Sequence, residues 1–146
     1  MFTVDIASVT PILGLPTLSG HSKYQLDPHM SLLDSGLTKA SIEALKSATG
    51  LTWQQIADAL HITVRTLQRY QADQQLPTTL SERLMRIADV YAKGFDVFGD
   101  HAMFRKWMQE PVPALSQVVP QSLLPSLYGM DRLMQELGRI EHGILA

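Results

Sequence analysis

Residues 51–70 read LTWQQIADALHITVRTLQRY, and no other stretch limits the fold so tightly. Thr52 followed by Gln55 is a capping-box pattern. Trp53, Ile56, Ala57 and Leu60 then share one helical face. After a short break, Thr63 can cap a second helix, with Val64, Leu67 and Tyr70 at spacing three. Ala57 is small where two crossing helices would come closest. His61 stands at the turn, where glycine is commoner but histidine tolerates positive φ. Two short helices, a tight turn and one helix face left free make a helix-turn-helix.

The free face of the second helix carries Arg65, Thr66, Gln68 and Arg69, donors suited to phosphates and to base edges. Gln54 and the helix start at Thr52 are placed to position a phosphate on amides at a positive helix end. With Thr63 at the second helix start, the candidate DNA-contacting set is Thr52, Gln54, Thr63, Arg65, Thr66, Gln68 and Arg69. The competing reading is the solvated face of a structural hairpin. The whole chain carries a net charge of −2, so no broad basic field exists and any DNA contact must be local. Between Leu37 and Tyr70 the four cations Lys39, Lys46, Arg65 and Arg69 oppose only Glu43 and Asp58. Binding with so few cations calls for two copies on neighbouring half-sites, hence a homodimer or a partner.

Composition removes several classes. There is no cysteine, which excludes disulfides, thiolate zinc, iron–sulfur clusters and cysteine nucleophiles. The histidines His21, His29, His61, His101 and His142 lack metal-ligand spacing, so neither metal nor cofactor is expected. The uncharged tracts Ile6 to Ser22 and Pro111 to Met130 are broken by prolines and glycines, so neither a signal peptide nor a spanning helix is expected. A soluble, cytoplasmic protein is the expectation. No glycine-rich phosphate loop, nucleophile elbow or HExxH pair is present. Glu136 and Glu141 near His142 make a poor acid/base set without a pocket, and the chain is not expected to be an enzyme.

The organisation expected is an arm over 1–35, a helix-turn-helix domain with a connector helix over 36–95, and a small carboxy-terminal domain over 96–146. The arm shows no sustained period; Thr3–Ile6 and Ile12–Leu15 read as short extended pieces of a segment that is mobile or ordered by a partner. Leu37, Ile42, Leu45 and Ala48 form a helical face that Gly50 stops. Leu80 to Phe98 is the longest periodic stretch, with Ser81 as its cap and an apolar stripe of Leu84, Ile87, Ala88, Tyr91, Phe95 and Phe98. Glu82 and Arg86 are spaced to pair along it. Met85, Ala92 and Val97 lie off the stripe, as in a central helix. A short helix through Met103, Phe104, Trp107 and Met108 ends at Pro111 and Pro113, and Pro120 opens another over Gln121 to Leu124. Ser126 caps the last helix, whose face is Leu133, Met134, Leu137 and Ile140, and Gly143 terminates it. Beyond stand the apolar Ile144, Leu145 and Ala146. They either pack onto the chain's own core or plug a partner's cavity.

The blocks ITVRTLQRYQ, LSERLMRIADVYAKGFDVFGD, FRKWMQEP, PQSLL and RIEHG follow one another in this chain. In that order they resemble the Xre/MbcA/ParS antitoxin family, and within it the Xre antitoxins of RES–Xre toxin–antitoxin pairs, over roughly Leu37 to Ala146. The resemblance implies an all-α fold: a Cro/repressor-like helix-turn-helix domain joined by a long helix to a small helical toxin-binding domain. It implies binding to the operon's own promoter DNA through Arg65, Thr66, Gln68 and Arg69. It also implies a RES-domain toxin that depletes NAD, whose active-site cleft the last helix and tail block. That role falls on Arg139, Ile140, Glu141, His142, Gly143, Ile144, Leu145 and Ala146, within a larger toxin–antitoxin hetero-oligomer. Glu141 and the terminal carboxylate would meet donors of the NAD pocket while Ile144 and Leu145 exclude water. Phe98, Gly99, Trp107 and Pro111 would mark the second module structurally. Two departures stand out: Ser116, Gln117, Val118 and Val119 replace a frequent glycine pair with a small polar residue before Pro120, and Tyr70 stands where a further basic residue is frequent. The alternative function is a free-standing helix-turn-helix regulator whose carboxy-terminal domain dimerises or senses a ligand.

Overall fold

One helix organises the rest. In the computed structural model, which describes residues 4–16 and 27–143, the helix Thr78–Phe98 buries Leu84, Ile87, Ala88, Tyr91 and Phe95 along the expected stripe. It also buries Met85, Val90 and Ala92 off that stripe. A helix apolar on several sides must be covered on several sides. In chain order the helices are α1 (Ile6–Val9), α2 (Pro28–Ser35), α3 (Lys39–Thr49), α4 (Trp53–Leu60), α5 (Val64–Arg69), α6 (Thr78–Phe98), α7 (His101–Met108) and α8 (Leu127–Glu141). Two 3₁₀ turns, Pro113–Leu115 and Pro120–Leu123, separate α7 from α8. The described residues contain no strand, only isolated bridges Thr38–Gln75 and Val112–Val118. Helices α1, α2, α3, α4, α7 and α8 all pack on α6, and the fold is all-α.

The seam between α6 and α7 is built on aromatic rings. Phe104 of α7 meets Tyr91, Phe95 and Phe98 with ring centroids 5.4, 5.7 and 5.3 Å away, the Tyr91 and Phe95 pairs edge-on as ring quadrupoles prefer. Gly94 makes the approach possible, since a Cβ there would lie 2.0 Å from the Phe104 ring. Burial raises the pKa of the Tyr91 hydroxyl far above its ordinary value and keeps it neutral.

Four local expectations are corrected. Neither Thr3–Ile6 nor Ile12–Leu15 forms a strand among the described residues; between them lies the helical turn α1, which Asp5 caps by accepting from the Ala7 amide, and Val9, Ile12 and Leu13 are buried in the common core. Thr3 lies outside the described residues. Residues 28–35, assigned to the arm, form α2. Its signals were present locally: Asp27 accepts from the amides of His29 and Met30, Pro28 sits at the first helical position, and Gly36 follows the end. His29 Nε2 lies 3.0 Å from Asp89 Oδ1 on α6, a bond that holds the imidazole pKa above its usual value.

Ser81 is not a cap. α6 begins at Thr78 after Pro77, and Ser81 is buried inside the helix with its hydroxyl unpartnered. Arg86 does not pair along its own helix with Glu82; its guanidinium donates to Asp131 Oδ1 of α8 at 2.8 Å. A tertiary acceptor has displaced the local one.

The loop before Pro120 takes the conformation glycine would supply, without glycine. Ser116 and Gln117 sit at φ 58° and 65°. The turn is closed by Val112 N–H to Val118 O at 3.1 Å and Gln117 N–H to Val112 O at 2.9 Å. Left-handed backbone costs a side-chain-bearing residue roughly 1–2 kcal/mol. Ser116→Gly and Gln117→Gly should therefore each stabilise the fold by about 1 kcal/mol, net of glycine's larger unfolded-state freedom. Thermal denaturation of the two single variants checks this, and a lowered melting temperature in both would contradict it.

Candidate functional site

The helix-turn-helix forms from side-chain-to-backbone bonds that the sequence encodes locally. Thr52 Oγ1 accepts from Gln55 N–H at 3.1 Å, and Gln55 Oε1 accepts from Thr52 N–H at 2.9 Å. His61 takes φ 60°, ψ 39° in the turn. Thr63 Oγ1 accepts from Thr66 N–H at 3.0 Å and donates to Thr66 Oγ1 at 2.9 Å. Ile56, Ala57, Leu60 and Leu67 are buried between and behind the two helices. Tyr70 lies one residue past α5 in extended backbone and packs partly on the core.

This leaves Arg65, Gln68 and Arg69 exposed on α5, with Thr66 half-buried beside them. Thr52, Thr63 and Thr66 use their hydroxyls in capping bonds, and Gln54 donates to Asp58 Oδ1 at 2.8 Å. What the start of α4 presents outward is therefore its first backbone amides, which lack intrahelical acceptors. Lys39, on α3, donates to the Gln68 carbonyl at 3.2 Å. It caps the end of α5 and sets another cation beside that face. Nothing in the local sequence around Lys39 signals this, because the contact spans two helices.

The carboxy-terminal part of the chain contributes α8. Ser126 Oγ accepts from Gly129 N–H at 3.0 Å; Leu133, Met134 and Leu137 are buried, and Ile140 is half-buried. Arg139 and His142 are exposed, and Arg139 Nη1 lies 3.8 Å from the buried Glu136. Glu141 pairs with Lys93 of α6 at 2.5 Å. That bond holds the Glu141 carboxyl below the ordinary carboxylate range. Gly143 ends the described chain at φ 68°. Ile144, Leu145 and Ala146 lie outside the described residues.

The two parts are joined. His61 Nε2 donates to the Pro125 carbonyl at 2.6 Å, and Arg83 Nη1 approaches the same oxygen at 3.4 Å. The turn of the helix-turn-helix is thereby pinned to the residue before the cap of α8. Sequence reasoning gave His61 a conformational role alone; this contact across 64 residues has no local signature. Next to it, Leu127 and Tyr128 are exposed, Tyr128 at 76%. Between α6 and α8 runs a groove of about 490 Å³ lined by Arg86, Asp89, Val90, Met130, Asp131, Met134 and Gln135. Among the described residues no helix is long and apolar enough to cross a membrane.

Two family models match consecutive segments. Residues 28–89 match the antitoxin Xre-like helix-turn-helix domain, and residues 93–143 match the antitoxin Xre/MbcA/ParS C-terminal toxin-binding domain. An antitoxin Xre of Photorhabdus laumondii is 28% identical over 92% of this chain and 88% of its own length. An antitoxin Xre of Yersinia enterocolitica is 29% identical over 79% and 81%. A Prs ADP-ribosylating antitoxin of a Sphingobium species is 23% identical over 91% of each chain.

The His61 geometry gives a two-part expectation. His61→Ala loses the bond to Pro125 and, like the wild type, keeps a side chain in left-handed backbone, so it should destabilise by about 1 kcal/mol. His61→Gly loses the bond but relieves the backbone, and should cost about 1 kcal/mol less. Denaturant titration of both variants reads the difference, and equal losses would remove the backbone part of the explanation.

Proposed function

Since the chain belongs to the Xre/MbcA/ParS antitoxin family, we propose that it neutralises a RES-domain, NAD-degrading toxin and represses its own operon by binding promoter DNA. The observation that carries this reading is the succession of a helix-turn-helix domain and a toxin-binding domain along one shared helix, α6. On the DNA side, Arg65, Gln68 and Arg69 enter the major groove. Thr66 and the amides behind Thr52, Gln54 and Thr63 fix the backbone register. Lys39 adds a phosphate contact near the end of α5. With so few cations per copy, the protein acts as a homodimer on paired half-sites inside a larger toxin–antitoxin assembly. It works in the cytoplasm, where both DNA and NAD are met.

On the toxin side, the end of α8 and the residues from Arg139 to Ala146 occupy the active-site cleft and exclude NAD. The Sphingobium relative's name refers to ADP-ribosylation, a chemistry that also consumes NAD, which supports a partner whose pocket is built for that dinucleotide. The antitoxin itself performs no catalysis in this scheme; occlusion needs only shape and burial.

Changing Arg65 and Arg69 together to alanine should weaken promoter binding by about 100-fold or more and flatten its salt dependence, leaving toxin neutralisation intact. Gel shifts at several salt concentrations, beside a growth-rescue assay, read both activities; joint loss of the two would contradict separable faces. Deleting Gly143 to Ala146 should restore toxin activity while the complex still co-purifies. Full protection by the truncated chain would move inhibition elsewhere on the interface.

A further inference from the structure

Glu141 is the last residue of α8, where an acid is misplaced. The carbonyl end of a helix carries partial negative charge and favours cations, not carboxylates. Its neighbourhood offsets this. Lys93 reaches across from α6 and bonds Glu141 Oε2, and its side chain is only 17% exposed. His142 Nε2 stands 3.8 Å from the other carboxylate oxygen.

Among the described residues, little else holds this end. Leu137 is the last fully buried residue of α8; Ile140 is half-buried, and Glu141, His142 and Gly143 are exposed. Gly143 turns left-handed, and a Cβ there would meet no atom within 4 Å. Its direction therefore comes from its own backbone and from the helix end it springs from. Helix termini fray unless something ties them.

We propose that Lys93 is a positioning residue for toxin recognition, and that its ion pair with Glu141 fixes the place and direction in which the polypeptide leaves α8. This rests on the toxin-binding reading of the carboxy-terminal end. It changes one part of that reading: Glu141 acts inward, on Lys93, and not on donors in the toxin. An anchored end needs less ordering when the complex forms, and ordering costs are what binding must overcome. A partly exposed pair at a helix end adds little to global stability, so its effect shows in the local order of the helix end and in toxin affinity.

The test uses the full chain and three variants: Lys93→Met, Lys93→Arg and the exchange Lys93→Glu with Glu141→Lys. Lys93→Met should shift the melting temperature by no more than ~4 °C. Amides 138–143 should exchange hydrogen about fivefold faster, and affinity for a RES-domain toxin should fall about fivefold. Lys93→Arg should keep both near wild type, and the exchanged pair should recover most of both. Unchanged amide exchange in Lys93→Met overturns the anchor. An exchanged pair that regains protection but not toxin affinity shows Glu141 touching the toxin, which also overturns the proposal. Should the wild type itself fail to bind the enzyme, the toxin reading falls, and amide exchange alone then decides whether Lys93 anchors the helix end.

Discussion

Burial of α6 from several directions is the constraint on which the other helices depend. Eleven of its residues are buried, more than a single amphipathic face supplies. At about 1.5 Å per residue it extends for roughly 30 Å, long enough to serve both halves of the molecule at once. Its first half backs the helix-turn-helix, and its second half receives Phe104 over Gly94 and supports α8. The two matched domains are thus not beads on a linker. They share one continuous core, in which α1 and α2 also take part.

How much of this could be read in advance depends on the range of the interaction. The capping box at Thr52 and Gln55, the caps at Thr63 and Ser126, the left-handed His61 and the glycine stop at Gly50 were all legible. Each is a bond or torsion closed within a few residues. The stripe along α6 was legible because its period repeats over many turns. α1 escaped because four residues give no period to detect. α2 carried Asp27, Pro28 and Gly36 as signals, but its short apolar face was weak beside the surrounding polar sequence. The partners of Arg86, His61 and Lys93 lie 45, 64 and 48 residues away. Charge and composition hold no record of such distances.

Electrostatics follows the same division. The net charge of −2 says little about either end, because what matters is which charges are already satisfied. Arg86, Lys93 and Arg105 are turned to neighbouring helices, to Asp131, Glu141 and the Ala48 carbonyl, where they tie helices together. Arg65 and Arg69 point outward from a short helix held rigid by its cap and by Leu67. A modest cation count thus becomes a focused donor face.

The two family matches meet between residues 89 and 93, within the unbroken interior of α6. A helix transmits rotation as faithfully as distance. Inserting one residue there would swing everything downstream by about 100° around the axis and advance it by about 1.5 Å. The two halves are therefore phase-locked: a different carboxy-terminal half can be grafted on only at matching helical phase, or α7 and α8 will be presented to the wrong side of the helix-turn-helix half.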